Sequence, residues 1–352
     1  MNMPDMSFRR FLHRTLLFLL ILGMIRIFIG WFIPYHTGSL VVSEKVRYIE
    51  ENKKKVDVIF LGSSRIRRGI IPTFFDSLTH RYSQRAGISF NMGGPAAHVA
   101  ENLYLLRKYA ASDAGDHLKT VVIEWTGAYL PFPDKYKTER GRYWMDMQSL
   151  TEQLSLMRGA PGLINAWKEG KIQYVFGAFL HRNLGLRRVS NNWMDTIKPD
   201  PSNEDTRGYN GLYRSHAPLV SKKPPKPGIP GFDPRQAQRD ALNARNIHAM
   251  EHLEALSEDV ELWQGLINNH TQRGIRLVLL IPPGPVNERQ LALLRRLPKD
   301  HFIDLSDPLK FPALYNSDLF FDYVHLNHDG ARLLTQYLAE SFLKLEGVKQ
   351  DR

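Results

Sequence analysis

The chain reads as an α/β protein in which a parallel sheet is wrapped by helices, with an N-terminal membrane helix and an inserted subregion. Three observations predict this. Short apolar runs rich in β-branched residues recur along the chain, segments of helical period lie between several of them, and a long apolar stretch sits near the N-terminus. Continuous apolar runs suit strands covered on both faces, and their alternation with helices indicates a parallel sheet joined by crossovers.

The strand candidates are VDVIFL (56–61), ISFNM (88–92), TVVIEW (120–125), IRLVLLIPP (275–283) and HFIDLS (301–306). Helical spacing of leucine and aromatic residues marks AHVAENLYLLRKYAA (97–111), NERQLALLRRL (287–297) and GARLLTQYLAESFLKL (330–345). A charged, helix-compatible stretch, SEKVRYIEENKKK, precedes the first strand. The pattern breaks at about 128–245, which reads as an insertion on the core. It holds a helical piece around 150–183 and the proline-rich SKKPPKPGIPGFDPR (221–235), and a helix at roughly 236–272 returns the chain to the sheet.

At 352 residues the chain suffices for one large domain or two modest ones. Lys and Arg number 47 against 36 Asp and Glu, and the net charge of +11 favours an anionic partner. The N-terminus narrows the choice. Arg9, Arg10 and Arg14 precede a run from Leu16 to Ile33 that is apolar except for Arg26, close to the ~20 residues that cross a bilayer. With the positive flank in the cytoplasm and Trp31 and Tyr35 at the far interface, residues 1–36 form a cytoplasmic stub and anchor. Residues 37–352 then form an extracytoplasmic domain on the outer side of the cytoplasmic membrane. No small-x-small cleavage site follows the run, which favours an uncleaved anchor over a signal peptide. Arg26 either snorkels to a headgroup or meets a partner's membrane helix. There is no cysteine, hence no disulfide, and an outward-facing domain makes nucleic acid an unsuitable partner.

Ligands of parallel α/β sheets bind beyond the carboxyl ends of the strands, and Ser63 and Ser64 follow VIFL there. A serine nucleophile needs a base and the base an orienting carboxylate. Asp322 and His325, three residues apart ahead of the last helix, supply that pair. Glu124 on the third strand is either a supporting carboxylate or a satisfied core residue. Arg65, Arg67 and Arg68 form a basic run suited to an anionic glycan or acyl carrier, and Tyr136 to Trp144 combines aromatic and basic residues that suit sugar rings or internal packing. No metal-ligand spacing and no glycine-rich phosphate loop is present, so neither metal nor cofactor is implied.

Gly62-Ser63-Ser64, the Asn91 segment with Gly93 and Gly94, and Asp322-x-x-His325 resemble blocks I, II and V of the SGNH/GDSL hydrolase superfamily over roughly 56–128 and 274–345. With the N-terminal anchor, GSSRIRRGIIP and DYVHLNHDG, the chain is similar to the membrane-anchored members of envelope O-acylation systems. That resemblance implies a three-layer α/β/α fold, O-acyl (acetyl) transfer to an envelope polysaccharide, and work beside a multi-spanning membrane-bound O-acyltransferase. Esterase activity with the same triad, or a non-catalytic accessory role, are the alternatives. It further implies Ser64 as nucleophile, with Ser63 second, His325 as base, with His328 second, and Asp322 as orienter. Backbone N–H groups of Ser64, Gly93 and Gly94 would form the oxyanion hole, and Asn91 and Arg65 would bind substrate. The superfamily's glycine spacing lands on Ala96, and its block III asparagine is replaced by Gly127 and Ala128.

Overall fold

The computed structural model describes residues 6–32, 39–82, 87–111, 117–125, 136–156, 170–184, 207–211, 257–284, 295–322 and 325–348. Five strands form one parallel sheet in the order β2-β1-β3-β4-β5, with β1 at Val56–Leu61, β2 at Ile88–Asn91, β3 at Thr120–Glu124, β4 at Arg276–Ile281 and β5 at Phe302–Asp304. Each of the five apolar runs holds one strand. β5 stops short of 306 because Ser306 turns back, its N–H and hydroxyl both donating to Asp304 Oδ1 at 3.0 and 2.6 Å.

The helices are α1 (Met6–Phe32), α2 (Leu40–Asn52), α3 (Ser64–Gly69), α4 (Pro72–Thr79), α5 (Val99–Ala111), α6 (Glu139–Tyr143), α7 (Met147–Leu156), α8 (Lys171–Leu184), α9 (Ser257–Gln272) and α10 (His328–Leu345). Alternate strand residues feed two buried clusters, one on each face of the sheet. Val58, Phe60, Val122, Val278 and Leu280 pack with Ile66, Phe75, Leu334 and Phe342 of α3, α4 and α10. Ile59, Leu61, Val121, Ile123, Leu277 and Leu279 pack with residues of α2, α5 and α9. Burial on both faces is why the strand runs show no polar alternation. Phe75 joins three elements by edge-to-face contacts, its ring 5.0 Å from Phe60 and 5.2 Å from Phe342. The helices of the insertion share this core, since Tyr143, Trp144, Leu150 and Val175 lie in the α5 cluster.

Residues of the expected anchor form α1, and Leu16, Leu17, Phe18, Leu19, Leu20 and Ile21 expose their side chains along it. Among the described residues, however, no helix is long and apolar enough to cross a membrane. Tyr35, the 221–235 linker, Gly127 and Ala128 lie outside the described residues, as do most of the helix expected at 287–297 and the first part of that at 236–272.

The sheet order reverses direction between β1 and β3, so the carboxyl ends of those strands open a crevice where α/β proteins bind ligands. Ser63 and Ser64 stand at the mouth of this crevice.

Candidate active site

The site begins with a turn that only glycine allows. β1 ends at Leu61, and a Cβ on Gly62 would lie 2.2 Å from Ile66 Cγ1 and 2.7 Å from Glu124 Cβ. Chain and neighbouring strand therefore approach closely, and α3 starts one residue after Ser63. Ser63 caps it: its hydroxyl accepts the Arg65 N–H at 3.2 Å, as N-cap serines do, and its own N–H donates to Glu124 Oε2 at 2.5 Å. Ser64, first in the helix, is left with an uncommitted hydroxyl that faces His325.

The other half comes from the chain entering α10. Phe320 and Leu326 form an antiparallel bridge, which folds Asp322 back over His325. Asp322 Oδ1 accepts the His325 backbone N–H at 2.9 Å, and its two oxygens lie 2.9 and 2.8 Å from Nδ1. Asn327 then caps α10, accepting the Gly330 N–H at 3.0 Å and donating to the Asp318 carbonyl at 2.6 Å. The carboxylate holds the ring proton on Nδ1 and leaves the Nε2 lone pair for Ser64, whose Oγ stands 2.7 Å away. Residues 64 and 325 thus meet across 261 positions of sequence.

Of the two serines, only Ser64 reaches the imidazole; Ser63 is occupied as a cap. The histidine that meets Ser64 is His325, whereas His328 has its Nδ1 bonded to the Tyr209 hydroxyl at 3.0 Å. Burial, with Arg332 close by, holds its pKa below the ordinary histidine value.

Four expected roles are corrected by the hydrogen bonds. Asn91 is fully buried and does not face a substrate: its Nδ2 donates to the carbonyls of Ile66 and Ile70, both at 2.8 Å, and its Oδ1 accepts the Gly93 N–H at 2.9 Å. It fastens α3 to the loop after β2. Gly93 consequently has no N–H for an oxyanion, and neither has Gly94, whose N–H donates to the Gly62 carbonyl at 2.9 Å. Glycine is needed at 93 for proximity, since a Cβ there would come within 2.4 Å of Arg67 N. Arg65 is a brace: its Nη2 donates to the carbonyls of Pro282 and Pro283 at 3.0 and 2.7 Å, and its Nη1 lies 3.7 Å from Glu124.

Among the described residues of this region, the N–H groups of Ser64 and Ala96 show no acceptor. The Ser64 N–H opens a helix, where no intrahelical acceptor exists. Ala96 occupies the left-handed region at φ 51°. Arg140 holds this loop from the insertion side, donating to the Pro95 carbonyl and pairing with Glu101 at 2.7 Å.

Glu124 is 1% exposed and shared between Ser63 and Arg65. A residue the sequence reading passed over is Lys45, which is buried with its Nζ against three carbonyls. The signal was its place on the stripe of Val42, Val46 and Ile49. Among the described residues, no group of three or more His, Asp or Glu could hold a metal ion. Comparison of the chain with protein-family models and with curated proteins returned no match.

Proposed function

We propose that the chain is an SGNH-like serine acyl-transfer protein, working at the outer face of the cytoplasmic membrane, that moves an acyl group onto an envelope polysaccharide. The observation that carries this reading is the continuous hydrogen-bonded chain from Ser64 Oγ through His325 to Asp322. Ser64 Oγ attacks the acyl carbonyl while its proton passes to His325 Nε2, and the carbonyl oxygen becomes an oxyanion facing the N–H groups of Ser64 and Ala96. Collapse breaks the bond to the leaving group, which takes the proton from His325. A sugar hydroxyl then gives its proton to His325 and attacks the acyl-serine, and Ser64 Oγ leaves with that proton, which restores the free serine and the neutral imidazole. Water in place of the sugar makes the same residues an esterase.

The exposed apolar residues along α1 and the net charge of +11 support placement beside a membrane and an anionic or glycan partner, and a multi-spanning O-acyltransferase is the proposed acyl source. The test is labelling with a fluorophosphonate probe followed by peptide mapping. Adduct on Ser64 is expected, with its loss in Ser64→Ala and His325→Ala. Adduct at Ser63, or equal labelling of Ser64→Ala, would refute the reading. An oligosaccharide that diverts acyl groups from water separates transferase from esterase.

A further inference from the structure

The segment 207–211 of the insertion stands among the elements that carry the site. The Asn91 N–H donates to the Arg207 carbonyl at 2.9 Å, which attaches the segment to β2. The Asn210 N–H donates to the Arg67 carbonyl at 3.1 Å, which attaches it to the nucleophile helix α3. The Tyr209 hydroxyl meets His328 Nδ1 at 3.0 Å, three residues beyond His325, and the Tyr209 ring is buried with Ile71 and Ala331. Arg207 pairs with Asp76 of α4. Its shape is set by consecutive positive φ angles at Arg207 (49°) and Gly208 (83°), and a Cβ on Gly208 would lie 2.2 Å from the Asn91 carbonyl oxygen.

Lys45 locks this arrangement from beneath. Its side chain, 1% exposed, donates all three ammonium protons, to the carbonyls of Asn91, Gly93 and Gly208, each at 2.7 Å. Charge-assisted bonds of this kind are roughly twice as strong as neutral ones. The ammonium thus ties α2, the helix that follows α1 in the chain, to the loop after β2 and to the insertion.

We infer that Lys45 and the residues Arg207–Gly211 form a clasp that sets the serine side of the site against its histidine side. Lys45 and Tyr209 are positioning residues, because neither touches the reacting atoms. The inference rests on the acyl-transfer reading for its effect on rate, whereas the clasp itself is a claim about geometry.

The experiment compares full-length protein with Lys45→Met, Tyr209→Phe and, as a stability control, Phe342→Leu, which loosens the core without touching the clasp. Fluorophosphonate labelling is followed against probe concentration, alongside amide hydrogen exchange. Lys45→Met is expected to lower the limiting labelling rate by about 10- to 100-fold and Tyr209→Phe by about 10-fold, with the half-saturating probe concentration unchanged, since small misplacements cost that much. Phe342→Leu should label at the wild-type rate. In both clasp variants the amides of Gly94 and Asn210 should exchange faster while those of β4 do not. Wild-type rates in both clasp variants, or losses matched by Phe342→Leu, would overturn the clasp. Should wild type itself fail to label, the acyl-transfer reading falls and exchange alone decides: unchanged protection at Gly94 and Asn210 refutes the clasp, and selective loss supports it.

Discussion

At the residue scale, Ser63 and Ser64 are adjacent on one turn yet differ in what their hydroxyls meet, the Arg65 N–H for one and His325 for the other. The Ser63 hydroxyl satisfies a helix N–H, so Ser63→Ala is expected to destabilise the fold by about 1 kcal/mol in a denaturant titration and leave Ser64 labelling intact. Glu124 acts on the same turn from the next strand. Its Oε2 fixes the Ser63 N–H and its charge faces Arg65, which in turn holds the carbonyls after β4. Glu124→Ala leaves that N–H without its acceptor and the part-buried guanidinium without its counter-charge, at a cost of about 1–3 kcal/mol. A probe-labelling rate lower than in Glu124→Gln, which retains an oxygen acceptor, is expected. Equal rates in the two variants would show that the carboxylate does not position Ser64.

At the element scale, the loop after β2 carries a strain that glycine would relieve. Ala96 at φ 51° bears a left-handed cost of about 1–2 kcal/mol, against glycine's extra chain entropy of about 0.5–1 kcal/mol. Ala96→Gly is therefore expected to raise unfolding free energy by about 0.5–1 kcal/mol, and a loss of stability would show that the position is not strained. The difference between what could and could not be read from the sequence is clear in this loop. The five strands were legible because burial on both faces leaves few polar interruptions in runs such as LVLLI at 277–281. Ser64, His325 and Asp322 were legible because their residue types, order and strand-end placement all point one way. The engagement of Gly93 and Gly94 was not, because it is decided by which backbone carbonyl or side chain happens to face each N–H. Helix α3, six residues long, is too short to show a period, and the clasp at 207–211 works largely through main-chain atoms, which leave little trace in residue type.

At the scale of the whole molecule, histidines on both faces of the sheet make the fold sensitive to acid. His270, near the end of α9, is buried on the face opposite α10, with its Nδ1 2.7 Å from the Leu266 carbonyl. Burial, aided by Arg273, lowers its pKa, so the folded chain keeps the ring neutral after the unfolded chain has begun to protonate near pH 6.5. Between the lowered folded value and about 6.5 the unfolded state binds more protons, and stability must fall as pH falls. His328, lowered chiefly by burial, adds a contribution of the same sign. Acid also adds positive charge to a chain already at +11, and that repulsion destabilises in the same direction. Salt separates the two causes, because it screens exposed charges and leaves a buried desolvation term largely intact. Melting temperatures are therefore expected to drop from pH 7.5 to pH 5.5 even in about 0.5 M NaCl, where the Debye length is only a few Å. His270→Asn keeps an N–H for the Leu266 carbonyl but takes up no proton, so its melting curve should lie below wild type at pH 7.5 and draw closer at pH 5.5. Parallel pH dependences for the two proteins at high salt would remove His270 as a source of the acid sensitivity and leave surface repulsion and His328 to account for it.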